Sequence, residues 1–177
     1  VAGLANLHMF KQPKAVSASH LRNFVFGVED SLVSTVGLLS GISIAGMEIK
    51  TIFVTGIVLI FVEAFSMAVG SFLSEYSADG YLRRAEAPLG NPVLNGVIMF
   101  VSYFISGFIP LFPYAILQQG AAFWLSIALS LAALFILGII GAEFSRLNWI
   151  KNGLRMMLVG GAAVVVGILV GRVANGL

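Results

Sequence analysis

The sequence predicts an all-α polytopic membrane protein: one transmembrane domain of five helices, N-terminus cytoplasmic and C-terminus on the opposite side. Three observations predict it. Only 10% of the 177 residues are charged and 59% are hydrophobic, whereas a soluble domain carries about 25% charged residues. The apolar stretches are long enough to cross a hydrocarbon core at about 20 to 25 residues each, which leaves no room for a separate soluble domain. Lys and Arg gather in alternate connecting segments rather than in all of them.

The first 22 residues read as an interfacial segment, with His8 and His20 as solvated interfacial histidines. The first span follows at about 24–46 and ends in the Gly-Met-Glu-Ile-Lys turn. The second runs over about 49–75, and a polar connector, SEYSADGYLRRAEAPLGNP, holds the only dense cluster of charge. Pro92 opens the third span, about 92–113, whose closing PLFPY has two prolines expected to break or kink the helix end. The fourth span covers about 121–141. An amphipathic cationic stretch, EFSRLNWIKNGLR, then brings Trp149 to the headgroup layer before the fifth span at about 156–173.

Charge sets the orientation. With the N-terminus inside, cytoplasmic segments hold Lys11, Lys14, Arg22, Arg83, Arg84, Arg146, Lys151 and Arg155, and the far side holds only Lys50 and Arg172. An excess of that size in short loops places the N-terminus in the cytoplasm. The absence of cysteine removes disulfides, thiolate metal sites and thiol catalysis. No basic run interleaved with aromatics supports nucleic-acid binding, and no nucleophile, base and orienting group recur at the spacing an enzyme needs.

The informative residues are acids placed in oil. Glu29 and Asp30 fall inside the first span and Glu63 inside the second, with Met67 one turn further on. A charge at the bilayer centre costs about 3 kcal/mol on insertion scales, and no Lys or Arg occupies the middle of an apolar stretch to offset it. A cation that arrives from outside the chain is the natural partner. Asn23, Gly27, Asp30, Ser34, Gly37 and Gly41 share one helical face; Glu63, Met67, Gly70, Ser71 and Ser74 share another. Glu29 points about 100° away from Asp30, so Asp30 is the stronger pathway candidate and Asn23, Ser34 and Ser71 line the route. Glu75, Asp79 and Glu86 can gather cations at the cytoplasmic mouth or be balanced there by Arg83 and Arg84.

Carboxylate oxygens suit hard cations and a thioether suits softer ones, so a mixed site fits a borderline divalent ion such as iron(II) or manganese(II). One chain offers too few donors for six-coordination, and two chains on a two-fold axis double them. A homodimer with its pathway between subunits is therefore expected, surrounded by lipid, passing divalent metal ions and protons, with no permanently bound cofactor. The remaining polar positions, Ser102, Ser106, Ser126 and Ser130 with Gly160, Gly167 and Gly171, read as helix-packing surfaces.

These segments resemble the vacuolar iron transporter family over nearly the whole chain, Arg22 to Gly176. NFVFGVEDSLVSTVGLLSGI is similar to that family's first helix and EAFSMAVGSFLSE to its second. GFIPLFPY resembles the proline-rich end of the third, and RMMLVGGAAVVVGILVGR the fifth. The resemblance implies a dimer of five-span subunits that moves iron(II), and often manganese(II), out of the cytoplasm in exchange for protons. It carries Asp30 and Met67 over as pathway ligands, with Glu63 in an adjoining position. The sequence departs from the family pattern in three places. Asn23 and Ser71 stand where acids are common, and no glutamate-rich cytoplasmic metal-binding domain separates the second and third spans. Glu63 or Glu75 would then take over the work of the lost acids. The same residues leave open a membrane scaffold with protonated structural carboxyls, or a passive cation channel. A plasma or inner membrane is the default location.

Overall fold

A computed structural model describes residues 12–145 and 148–176. His8, Lys11 and Arg146 lie outside the described residues. The chain forms α1 (Gln12–Ile44), α2 (Ile49–Arg83), α3 (Gly90–Ile116), α4 (Gln119–Ser145) and α5 (Trp149–Asn175). All five are long and apolar enough to cross a membrane.

Helix α1 is the hub, because it touches each of the other four. Glycine is what lets α5 press against it. A Cβ on Gly41 would stand 2.8 Å from the Gly167 carbonyl oxygen, and Cβ atoms on Gly167 or Gly171 would collide with the Gly37 or Gly41 carbonyls. The pairing runs upward together on both helices, so α1 and α5 are parallel, as the first and fifth of five successive spans should be. Small residues here trade side-chain volume for backbone contact. Gly160 turns the other way and meets Leu134 of α4.

The turns follow from local chemistry. Gly46 takes φ +80, the Gly46 N–H donates to Ser43 O at 3.2 Å and the Met47 N–H to Ile42 O at 3.3 Å. This Schellman arrangement stops α1 and lets α2 start within four residues. Between α4 and α5, the Asn148 side chain accepts from the Lys151 N–H at 3.2 Å and caps α5. Asn152 Nδ2 then donates to Gly138 O at 2.7 Å and ties the two helices together.

Three boundaries differ from the sequence reading. α1 begins at Gln12, so from there onward the segment read as interfacial is helix continuous with the first span. α2 continues to Arg83, and the left-handed backbone of Arg84 (φ 52) ends it. At about 1.5 Å per residue α2 spans roughly 50 Å, so its last turns stand clear of a core of about 30 Å. The expected break at the prolines does not occur: α3 runs through Pro110 and Pro113 to Ile116. The rings delete two N–H donors, but Ser126 of α4 donates to the Pro110 carbonyl at 2.6 Å and fixes the segment from outside.

The apolar core gathers at one end of the molecule. Leu39, Ile52, Ile60, Leu111, Tyr114 and Ala122 are buried together where α1, α2, α3 and α4 meet. α2 packs mainly on α3 and touches α1 lightly. At the other end, α1 and α2 therefore face each other across polar side chains instead of a packed seam.

Candidate metal pathway between the first two helices

α1 and α2 run antiparallel, and their polar residues meet in matched steps of one helical turn. At the mouth, Ser19 Oγ donates to Glu75 Oε1 at 3.0 Å and Arg22 pairs with Glu75 Oε2 at 3.2 Å. One turn deeper, Ser71 Oγ donates to Asn23 Oδ1 at 2.8 Å. Another turn in, Gly27 of α1 stands level with Met67 of α2. Deeper still, Asp30 and Glu63 are close enough for their charges to interact, and both lie in range of the Tyr103 phenol from α3. Each step covers about 6 Å along the helix axes.

A cleft of about 600 Å³ opens between α1 and α2 over the middle of this ladder. Asn23, Met67 and Ser71 line it, together with Arg22, Ser66 and Met99. Asp30 and Glu63 do not line it. The predicted pathway residues thus separate into two tiers: a thioether and neutral-oxygen cleft nearer the mouth, and a carboxyl pair beyond it. Among the described residues no three His, Cys, Asp or Glu side chains cluster so that one chain alone could hold a metal ion.

Beside the carboxyl tier, α3 is bonded to α1. Tyr103 is fully buried, its hydroxyl is 2.8 Å from Ser34 Oγ, and its carbonyl accepts from Ser31 Oγ at 2.7 Å. Ser34 therefore supports Tyr103, whereas the sequence reading placed it along the route. Asp30 and Glu63 are each half-buried. Two carboxylates so placed repel in a medium of low dielectric, and a cation between them or a proton on one relieves that repulsion. Glu29 is also half-buried, but it belongs neither to this pair nor to the cleft.

At the mouth, the structure corrects the pairing of Glu75. Its cation is Arg22 of α1, not Arg83 or Arg84. With the Arg22 side chain 70% exposed, such a pair contributes at most about 1 kcal/mol; it matters by position, at the rim of the cleft. Asn95 of α3, only 1% exposed, donates to Ser19 Oγ at 3.0 Å. His20 is not the solvated interfacial residue expected: its Nε2 is shut from solvent, without a hydrogen-bond partner among the described residues.

Sequence reasoning missed Tyr103, Met99, Ser19 and Asn95. Asn95, Met99, Tyr103 and Ser106 recur at helical spacing on α3, a signal that was legible as a stripe. Ser102 and Ser106, read as a packing surface, spend their hydroxyls on their own helix: Ser102 donates to Ile98 O at 2.7 Å and Ser106 to Ser102 O at 2.6 Å.

The model of the VIT family matches residues 21–87 and 80–172. The chain belongs to the VIT family. This is the vacuolar iron transporter family that the helix motifs resemble. Similar proteins include vacuolar iron transporter homolog 3 of Arabidopsis thaliana, 27% identical over 183 residues, covering 91% of this chain and 88% of that protein. Vacuolar iron transporter homolog 2 of Oryza sativa subsp. japonica is 27% identical and covers 84% of this chain and 87% of its own length. A fungal relative, vacuolar iron transporter cccA of Arthroderma benhamiae, is 33% identical over a shorter stretch, 46% of this chain and 33% of that protein. Family membership and five helices of spanning length place this VIT member among multi-pass integral membrane proteins.

Proposed function

We propose that this VIT member exports divalent transition metal, iron(II) and also manganese(II), from the cytoplasm in exchange for protons. The observation that carries the proposal is the placement of Asp30 and Glu63 within charge-interaction range of each other inside the membrane domain, while among the described residues the one basic side chain lining the neighbouring cleft, Arg22, is engaged by Glu75. The relatives' names supply the metal: they are iron transporter homologs.

In this reading the N-terminal ends of α1 and α3 and the C-terminal end of α2 face the cytoplasm. A metal ion enters at the Glu75 mouth, crosses the cleft lined by Asn23, Ser71 and Met67, and reaches Asp30 and Glu63. Binding there displaces protons, and reprotonation on the far side releases the ion. Because no three acidic or imidazole side chains of one chain cluster among the described residues, a second copy related by a two-fold axis completes the coordination shell, and the pathway lies between subunits. The relatives' names point to a vacuolar membrane; a plasma or inner membrane is the alternative setting.

The test is metal flux into proteoliposomes under an imposed pH gradient. Asp30→Asn and Glu63→Gln are each expected to abolish iron(II) flux while the protein remains monodisperse. Wild-type flux in both variants would end the proposal. Flux that ignores the pH gradient would turn the reading from exchanger to passive channel.

A further inference from the structure

The cleft has a feature that the carboxyl chemistry does not use: it is lined by two thioethers and by no carboxylate. Met67 reaches it from α2 and Met99 from α3. Its remaining polar lining is the Asn23 amide, the hydroxyls of Ser66, Ser71 and Ser74, and the Arg22 guanidinium. Met99 is 2% exposed, so it has been carried into the domain rather than left against lipid. Its Sδ would lie 3.1 Å from a Cβ on Gly27. The missing side chain at Gly27 is therefore what lets a sulfur from α3 rest against α1, on the level that Met67 occupies on α2.

We propose that Met67 and Met99 form a paired thioether site for soft cations, one turn on the mouth side of the Asp30–Glu63 pair. The proposal deepens the transport reading and rests on it for the course of the pathway. Thioether sulfur is polarizable and weakly basic, and it holds soft ions such as copper(I) and silver(I) in preference to magnesium or calcium. With no carboxylate in the layer, hard divalent ions find only neutral oxygens there and gain little for the water they would shed. Iron(II), borderline in character, crosses at modest cost. The layer thus works as a filter that rejects hard ions before they reach the acids, and it gives the chain an affinity for monovalent soft metal that the acids alone would not supply.

Silver(I), which is redox-inert in this setting, is the probe, titrated calorimetrically into the full-length protein in detergent. The background changes the other four methionines, Met9, Met47, Met156 and Met157, to leucine, since among the described residues only Met67 and Met99 bring sulfur to the cleft. In that background Met67→Leu and Met99→Leu are each expected to weaken silver binding about tenfold or more, and the double variant to remove it. Leu for Met conserves volume and usually costs under about 1.5 kcal/mol, so thermal unfolding of the variants checks that the fold is intact. Silver affinity unchanged by Met99→Leu overturns the proposal. Silver binding through both thioethers without any iron(II) flux would retain this site and sink the transport reading; iron(II) flux that needs Asp30 but silver binding indifferent to Met99 would do the reverse.

Discussion

The two ends of the α1–α2 pair are built on opposite principles. Toward the α1–α2 turn the helices close on apolar side chains: Leu39, Ile52 and Ile60 are fully buried. A Cβ on Gly56 would stand 2.5 Å from Leu111 Cδ1 and 3.1 Å from Leu39 Cδ2. Toward the other end the same helices are bridged by side-chain hydrogen bonds, Ser71 to Asn23 and Arg22 to Glu75, beside a cleft of about 600 Å³. One end supplies rigidity and the other supplies a polar passage. Packing density resists any change of volume, whereas hydrogen bonds bordering a cleft can be remade at about 1 kcal/mol each.

That contrast can be broken by substitution. The largest effect belongs to the packed side: Gly167→Leu drives a side chain into the Gly37 carbonyl of α1. Overpacking of this kind costs about 1–3 kcal/mol or more, and loss of monodisperse protein on size exclusion is the expected outcome. Next comes Ser126→Ala, which strips the Pro110 carbonyl of its 2.6 Å donor. Losing a fully buried hydrogen bond between helices costs toward the upper end of about 0.5–1.5 kcal/mol, read as a lowered midpoint of thermal unfolding.

On the polar side, Ser71→Ala removes one part-buried hydrogen bond, to Asn23 Oδ1, and should lower stability by no more than about 1 kcal/mol. A loss as large as that from Ser126→Ala would mean that the cleft end is packed after all. The smallest energetic effect is read most sharply by labelling. The chain has no cysteine, so single cysteines report alone: Ser74→Cys at the cleft should react with a polar maleimide. Ser40→Cys, at a position 1% exposed, should not. Equal rates at the two positions would erase the distinction between the ends.

Much of this was legible in the sequence because a bilayer leaves few choices. Five apolar stretches of spanning length can only be helices, and the acids within them must face an interior. The stripes containing Asp30 and Glu63 were readable for the same reason, and so was the Gly167–Gly171 surface, which the structure seats against α1. What the stripes could not give was their mutual register. Ser34 lies on the same face as Asp30, yet its hydroxyl meets Tyr103 of α3. Glu75 sits beside Arg83 and Arg84 in the polar connector, yet its charge is met by Arg22, across from it on α1.

The sequence alone determined the class of protein, the helices, and which residues carry unusual chemistry, because helix periodicity and the cost of polar groups in lipid are local properties. Tertiary structure decided the partners. Which turn of α2 stands opposite which turn of α1, that α3 delivers Tyr103 to the acids and Met99 to the cleft, and that α1 carries the contacts of all four neighbours, follow from packing between residues far apart in the chain. No local rule encodes those distances; they emerge only when the glycine seam and the apolar end fix the helices against one another.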